Sequence, residues 1–178
     1  TGDEIIVSRL DHDAHVTPWV LAARDAGARV LYIDIDPQDC TLNLADLQSK
    51  LSPRTRWVAV GAAANSVGTV NPIAEIARRV HKSGAKLFVD AVHYAPHRSL
   101  DVQAWDCDVL VCSAYKFFGP HVGILWGKDP RLAEPLMRHL GEDPALVVGD
   151  NQPYSGRSNL GGTMQRHGAA NGLPHVLI

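Results

Sequence analysis

Three features of the 178-residue chain predict an α/β fold, a three-layer α/β/α arrangement around a mainly parallel sheet. Short apolar runs alternate with longer segments of helical period, the pattern of strands joined by crossover helices. Gly, Pro and Asn fall at the joins between them. The polar residues with the most chemistry to offer directly follow the apolar runs, and in open α/β sheets the ligand sits beyond the carboxyl ends of the strands.

Thr1-Gly2 reads as a turn into a strand over 5–8, and a helix over 17–26 closes at Gly27. A strand over 30–33 follows, then a helix over 44–51 with Asn43 as N-cap and Pro53 as its stop. After a strand over 57–62, Asn71-Pro72 leads into a helix over 73–83, with Ile73, Ile76, Ala77 and Val80 on one face and Gly84 beyond its end. Strands over 87–90, 109–113 and 122–126 complete the readable part. The pattern weakens after Gly141, and residues 149–172, rich in Gly, Asn, Ser and Gln, read as an exposed loop region or one that meets a partner. There is no internal repeat. The length suits one globular unit, and an opening without an initiator Met reads as a cut from something longer.

Composition narrows the function classes. Apolar residues at 46% and charged residues at 20% describe an ordinary soluble chain, and no apolar run approaches the roughly 18 residues of a membrane span. A formal charge of -2 with scattered Lys and Arg gives no footprint for nucleic acid or anionic lipid. The three cysteines, Cys40, Cys107 and Cys112, form neither a disulfide framework nor a zinc pattern, which suits a reducing, cytoplasmic setting. Neither a P-loop nor a Gly-x-Gly-x-x-Gly after a strand is found, so a nucleotide enzyme of those types is disfavoured.

Two stretches carry the candidate chemistry. Asp90 ends the run Lys-Leu-Phe-Val-Asp, and a carboxylate at the end of a buried strand needs a cationic or donating partner. It could cap a neighbouring loop, or pair with a protonated pyridine nitrogen. Lys116 follows Cys112-Ser113-Ala114-Tyr115 and precedes Phe117-Phe118-Gly119-Pro120. It could be a snorkelling lysine at a strand edge, or an amine desolvated between apolar strands, lowered in pKa and ready to condense with an aldehyde. Ser113 and Tyr115 add hydroxyls able to donate to a phosphate oxygen. A metal-dependent hydrolase is the competing reading, with His12 and His15, or Asp90, His93 and His97, as ligands; Pro96 between the last two histidines works against a helical ligand pair.

Asn65, Asp90 with His93, and Ser113-Ala114-Tyr115-Lys116, in this order and spacing, resemble the large domain of class V aminotransferases, the group that includes cysteine desulfurases and kynureninases. The resemblance runs from about Gly2 to Trp126 and resumes near Gly162. It implies the fold of the pyridoxal-phosphate-dependent transferase large domain and pyridoxal 5'-phosphate as cofactor. It makes Lys116 the Schiff-base lysine and general acid-base, and Asp90 the partner of the pyridinium nitrogen. His93, where desulfurases usually have Gln, would bond the ring phenolate. His12 would stack on the ring, Asn65 would approach the ring or the substrate carboxylate, and Ser113 and Tyr115 would bind phosphate. Desulfurases usually carry His at the position of Tyr115, and kynureninases Tyr. Thr163, in Gly162-Thr163, would reach the phosphate of a neighbouring subunit in a homodimer.

The resemblance also implies that an N-terminal segment and a C-terminal small domain lie outside residues 1–178, and none of the three cysteines matches a mobile-loop nucleophile. The leading expectation is a pyridoxal-phosphate-dependent enzyme core acting on a small-molecule amino acid, without nucleic acid or membrane partners. The alternatives are a truncated or degenerate non-catalytic domain of the same fold, and the hydrolase.

Overall fold

The computed structural model describes residues 2–129 and the backbone of 166–167 and 176–177. The chain divides into two compact units, Thr1–Cys107 and Asp108–Ile178.

The first unit alternates strands and helices as the sequence predicts: β1 (Glu4–Ser8), α1 (Asp13–Ala26), β2 (Arg29–Ile33), α2 (Leu44–Lys50), β3 (Thr55–Gly61), α3 (Ile73–Lys82), β4 (Lys86–Asp90) and α4 (Val102–Trp105). Its strands are parallel, in the order β2-β1-β3-β4. All five residues of β1 are buried, as a central parallel strand covered on both faces requires. The connection from β1 to β2 runs one way along the sheet and those from β2 to β3 to β4 run the other. Right-handed crossovers therefore put α1 on one face and α2 and α3 on the opposite one. Packing agrees: Ile5, Val7 and Ala59 meet Ala23 of α1, with Trp19, Trp57 and Phe88 around them. Ile6, Val58, Leu87 and Val89 alternate with these along their strands, so they point to the other face, and they are fully buried together with Leu47 of α2 and Ile76 and Val80 of α3.

The second unit pairs β5 (Val109–Ser113) with β6 (Gly123–Gly127) antiparallel, joined through a 3₁₀ turn, η1 (Ala114–Phe117). Two-residue strands β7 (Arg166–His167) and β8 (Val176–Leu177) extend this ladder antiparallel from β6.

Two elements depart from expectation. Helix α1 begins at Asp13 rather than 17 because His12 is its N-cap, with Nδ1 accepting from the Ala14 amide at 3.0 Å. Pro18 therefore sits inside the helix. Helix α4 was not anticipated; it is a single turn whose cap, Asp101, accepts from the amides of Gln103 and Ala104. No helix among the described residues is long and apolar enough to cross a membrane.

Candidate active site

The order in which the chain adds strands reverses between β1 and β3, and at such a switch point the loops leaving adjacent strands part to opposite faces and open a crevice. Asp11, in the loop after β1, spans it: Oδ1 accepts from the amide of Gly61, the last residue of β3, at 2.8 Å. A Cβ at position 61 would lie 2.8 Å from that same oxygen, so a larger residue there would push the Asp11 carboxylate aside. Gly61 is further held by Asn71, a buried side chain whose Nδ2 donates to its carbonyl at 2.8 Å.

Asp90 stands in register with Gly61, at the end of β4. Its Oδ1 accepts from the Val92 amide at 2.8 Å, an Asx turn that fixes the carboxylate at the strand end. Its Oδ2 lies 3.8 Å from Nδ1 of His15, a side chain only 3% exposed on the first turn of α1. This contact is electrostatic, too long for a hydrogen bond. Burial pushes the Asp11 carboxyl above the ordinary aspartate range and nearby Asp90 adds to the rise, while His15, the Gly61 amide and Ser8 pull it down. Asp11, His15 and Asp90 thus form one electrostatic cluster at the carboxyl ends of the strands.

Next to it, two turns enclose a cavity of about 330 Å³ whose lining includes Asn65, Val70, His93, Tyr94, His97 and Arg98. The first turn is closed by Ala64 and Thr69, with Gly68 at φ +75° allowing the reversal. The second is a coil of backbone bonds from Tyr94 and Ala95 to Ala91 and from Arg98 to Tyr94, braced by the edge of Tyr94 against Trp105 of α4 at 4.9 Å. Of the residues singled out from sequence, Asn65, His93 and His97 share this cavity. His12 is exposed at the start of α1, and because its Nδ1 accepts from Ala14, Nε2 is the nitrogen that carries hydrogen when the ring is neutral.

In the second unit, Ser113 is buried at the end of β5, and Tyr115 and Lys116 follow on η1. The turn is tightly closed. Ala114 donates to Val122 at 3.0 Å and accepts from Gly119 at 2.9 Å, and Phe118 adopts a left-handed φ of 65°. The Tyr115 ring stacks on His121, with centroids 4.9 Å apart and planes 10° off parallel, and Lys116 Nζ lies 5.5 Å from the Tyr115 centroid. The burial expected for Lys116 between apolar strands is not found: the side chain is exposed, because the 3₁₀ turn carries it beyond the end of β5. Thr163 lies outside the described residues.

The metal-hydrolase alternative is not supported. Among the described residues no group of three or more His, Cys, Asp or Glu is placed to hold a metal ion. One oxygen of Asp90 accepts from the Val92 amide, and the exposed His97 follows Pro96 in the turn. Sequence reasoning treated His15 only as a possible metal ligand beside His12. The available signal was its place three residues after the helix cap, one helical turn along and on the face that packs toward the sheet.

Residues 1–142 match the family described as aminotransferase class-V, and the chain belongs to that family. Its relatives there include cysteine desulfurases. That of Dickeya dadantii (strain 3937) is 41% identical over 132 residues, which cover 74% of this chain and 32% of the relative. A probable cysteine desulfurase of Synechocystis sp. is 41% identical over 152 residues, covering 84% of this chain and 36% of the relative. The crystal structure of the cysteine desulfurase CsdA (S-sulfonic acid) from Escherichia coli superposes with a TM-score of 0.68 at 34% identity, over 71% of this chain and 32% of that one. The chain spans about a third of the length of these curated relatives.

Proposed function

We propose that the chain is the pyridoxal-5'-phosphate-binding core of an enzyme acting on an amino acid, cysteine desulfurase- or aminotransferase-like, with Lys116 as the residue that holds the cofactor covalently. The observation that carries this reading is the extent of the family match, residues 1–142, a range that includes His12, Asn65, Asp90, His93, Ser113, Tyr115 and Lys116. Cysteine is the substrate named in the relatives and is the first to test.

The residues present fit the group. The Asp90 carboxylate has one oxygen fixed by Val92 and the other in only a 3.8 Å contact, which leaves acceptor capacity for a protonated pyridine nitrogen. Bound pyridoxal phosphate supplies an electron sink for the bonds of a substrate α-carbon. Asp90 would keep the proton on the ring nitrogen, without which that sink is weak. His12 would lie against the ring, its imidazole plane set by the Ala14 cap bond. His93 would donate to the ring oxygen, and Asn65 would approach the ring or the substrate carboxylate. Ser113, Tyr115 and, from a neighbouring copy, Thr163 would take the phosphate. Lys116, exposed and mobile about four side-chain torsions, would form the bond to the cofactor and, once released, move the proton at the α-carbon. The same reading makes the protein a cytoplasmic homodimer.

The test is absorbance of the purified protein titrated with pyridoxal phosphate, followed by borohydride reduction and peptide mass analysis. A visible band and a reduced adduct on Lys116 are expected. A colourless protein, or an adduct spread over surface lysines and unchanged by Lys116→Ala, would favour the non-catalytic domain instead.

A further inference from the structure

We propose that His15 is a positioning residue for the cofactor: it holds the Asp90 carboxylate in the orientation that receives the pyridine nitrogen. The inference rests on the functional reading above and adds a residue to it.

Asp90 has two oxygens, and the strand-end turn accounts for one. Oδ1 is fixed by the Val92 amide at 2.8 Å, and the side chain facing Oδ2 is His15, its Nδ1 3.8 Å away. With the Asp90 side chain 19% exposed, little water remains to orient the free oxygen, so the imidazole decides where its lone pairs point and offsets the cost of keeping it charged. His15 is itself anchored. It projects from the first turn of α1, its ring lies 5.6 Å from that of Phe88 on β4, and its position is set by a helix that His12 caps. The residue proposed to lie against the cofactor ring and the residue that orients its carboxylate partner therefore belong to one helical turn.

Packing does not explain a histidine here. Its Nε2 is buried without a hydrogen-bond partner, and so is Oδ2 of Asp11. The orphaned imidazole nitrogen is a cost that an apolar side chain against Phe88 would avoid. A residue that costs stability while pointing its other nitrogen at Asp90 is explained by what it does for that carboxylate.

The experiment compares pyridoxal phosphate with an analogue that has carbon in place of the ring nitrogen, titrated by fluorescence into wild type, His15→Leu and His15→Asn. Thermal unfolding of the cofactor-free proteins is measured alongside. If His15 acts through Asp90 on the nitrogen, wild type prefers the natural cofactor, and both variants weaken it about tenfold, the scale of one polar interaction. They leave the analogue unchanged and unfold no earlier than wild type. Equal weakening of both ligands, no weakening of either, or loss of stability in both cofactor-free variants would make His15 a structural residue and overturn the proposal. Wild type that binds no pyridoxal phosphate sinks the functional reading, whereas wild type that binds it with variants unchanged sinks only this inference.

Discussion

Asp11 shows what a single side chain costs and contributes. Its bond to the Gly61 amide ties the loop after β1 to the end of β3, and its burial raises the carboxyl above the ordinary aspartate range. The folded state therefore holds this proton more tightly than the unfolded one. The associated stability is complete below the ordinary aspartate pKa of about 4 and is lost as pH rises through the elevated value. Asp11→Asn keeps an acceptor for Gly61 and does not titrate. Its stability relative to wild type, read from urea unfolding, should improve as pH rises above about 4 and level off once pH passes the elevated value; a difference flat with pH throughout would show that the carboxyl is not raised. Gly119 is a second such position. A Cβ there would lie 2.8 Å from the Ala114 Cβ and 2.9 Å from its carbonyl oxygen, and neither can swing aside. Gly119→Ala is expected to cost about 1–3 kcal/mol in urea unfolding and to disturb the turn that carries Lys116.

Among the elements, β1 is held at its start by Glu4, a buried carboxylate that accepts from Ser52 and Arg29 and lies 3.2 Å from Arg54. The Ser52 bond leads in lowering its pKa, with the arginines adding to it. Stability from Glu4 is present above the ordinary glutamate pKa and is lost as pH falls through the lowered one. Both guanidinium partners are more than half exposed and screened, so Glu4→Gln should cost about 1 kcal/mol at pH 7, with the gap closing in acid. Elements were legible where periodicity and caps agreed: β5 at 109–113, α2 with its Asn43 cap, and α3 with Ile73, Ile76, Ala77 and Val80 inward. They were misread where one residue carried two meanings. His12 reads as a ring-stacking residue or a metal ligand, yet its imidazole is also the cap that starts α1 a turn earlier. Helix α4 is too short for periodicity to register, and only its Asp101 cap marks it. Site residues were readable by type and spacing, but the exposure of Lys116 and the contact of His15 with Asp90 depend on where a turn and a helix end carry those side chains.

At the scale of the whole molecule, a cofactor that binds only the folded chain must stabilise all of it by mass action. At a free concentration 100 times the dissociation constant the gain is about 2.7 kcal/mol, which for a chain of this size raises the unfolding midpoint by about 5–10 °C. Pyridoxal phosphate is expected to give that rise in differential scanning calorimetry, and phosphate alone at the same concentration a far smaller one. Lys116→Ala lies on an exposed turn, so its cofactor-free midpoint should stay within about 1–2 °C of wild type, as for most surface substitutions. Its response to the cofactor should fall below half, because the covalent attachment is gone while the contacts to ring and phosphate remain. An undiminished rise in the variant would mean that binding does not pass through this lysine. The exposed amine would then be the snorkelling strand-end residue that its sequence context also allows.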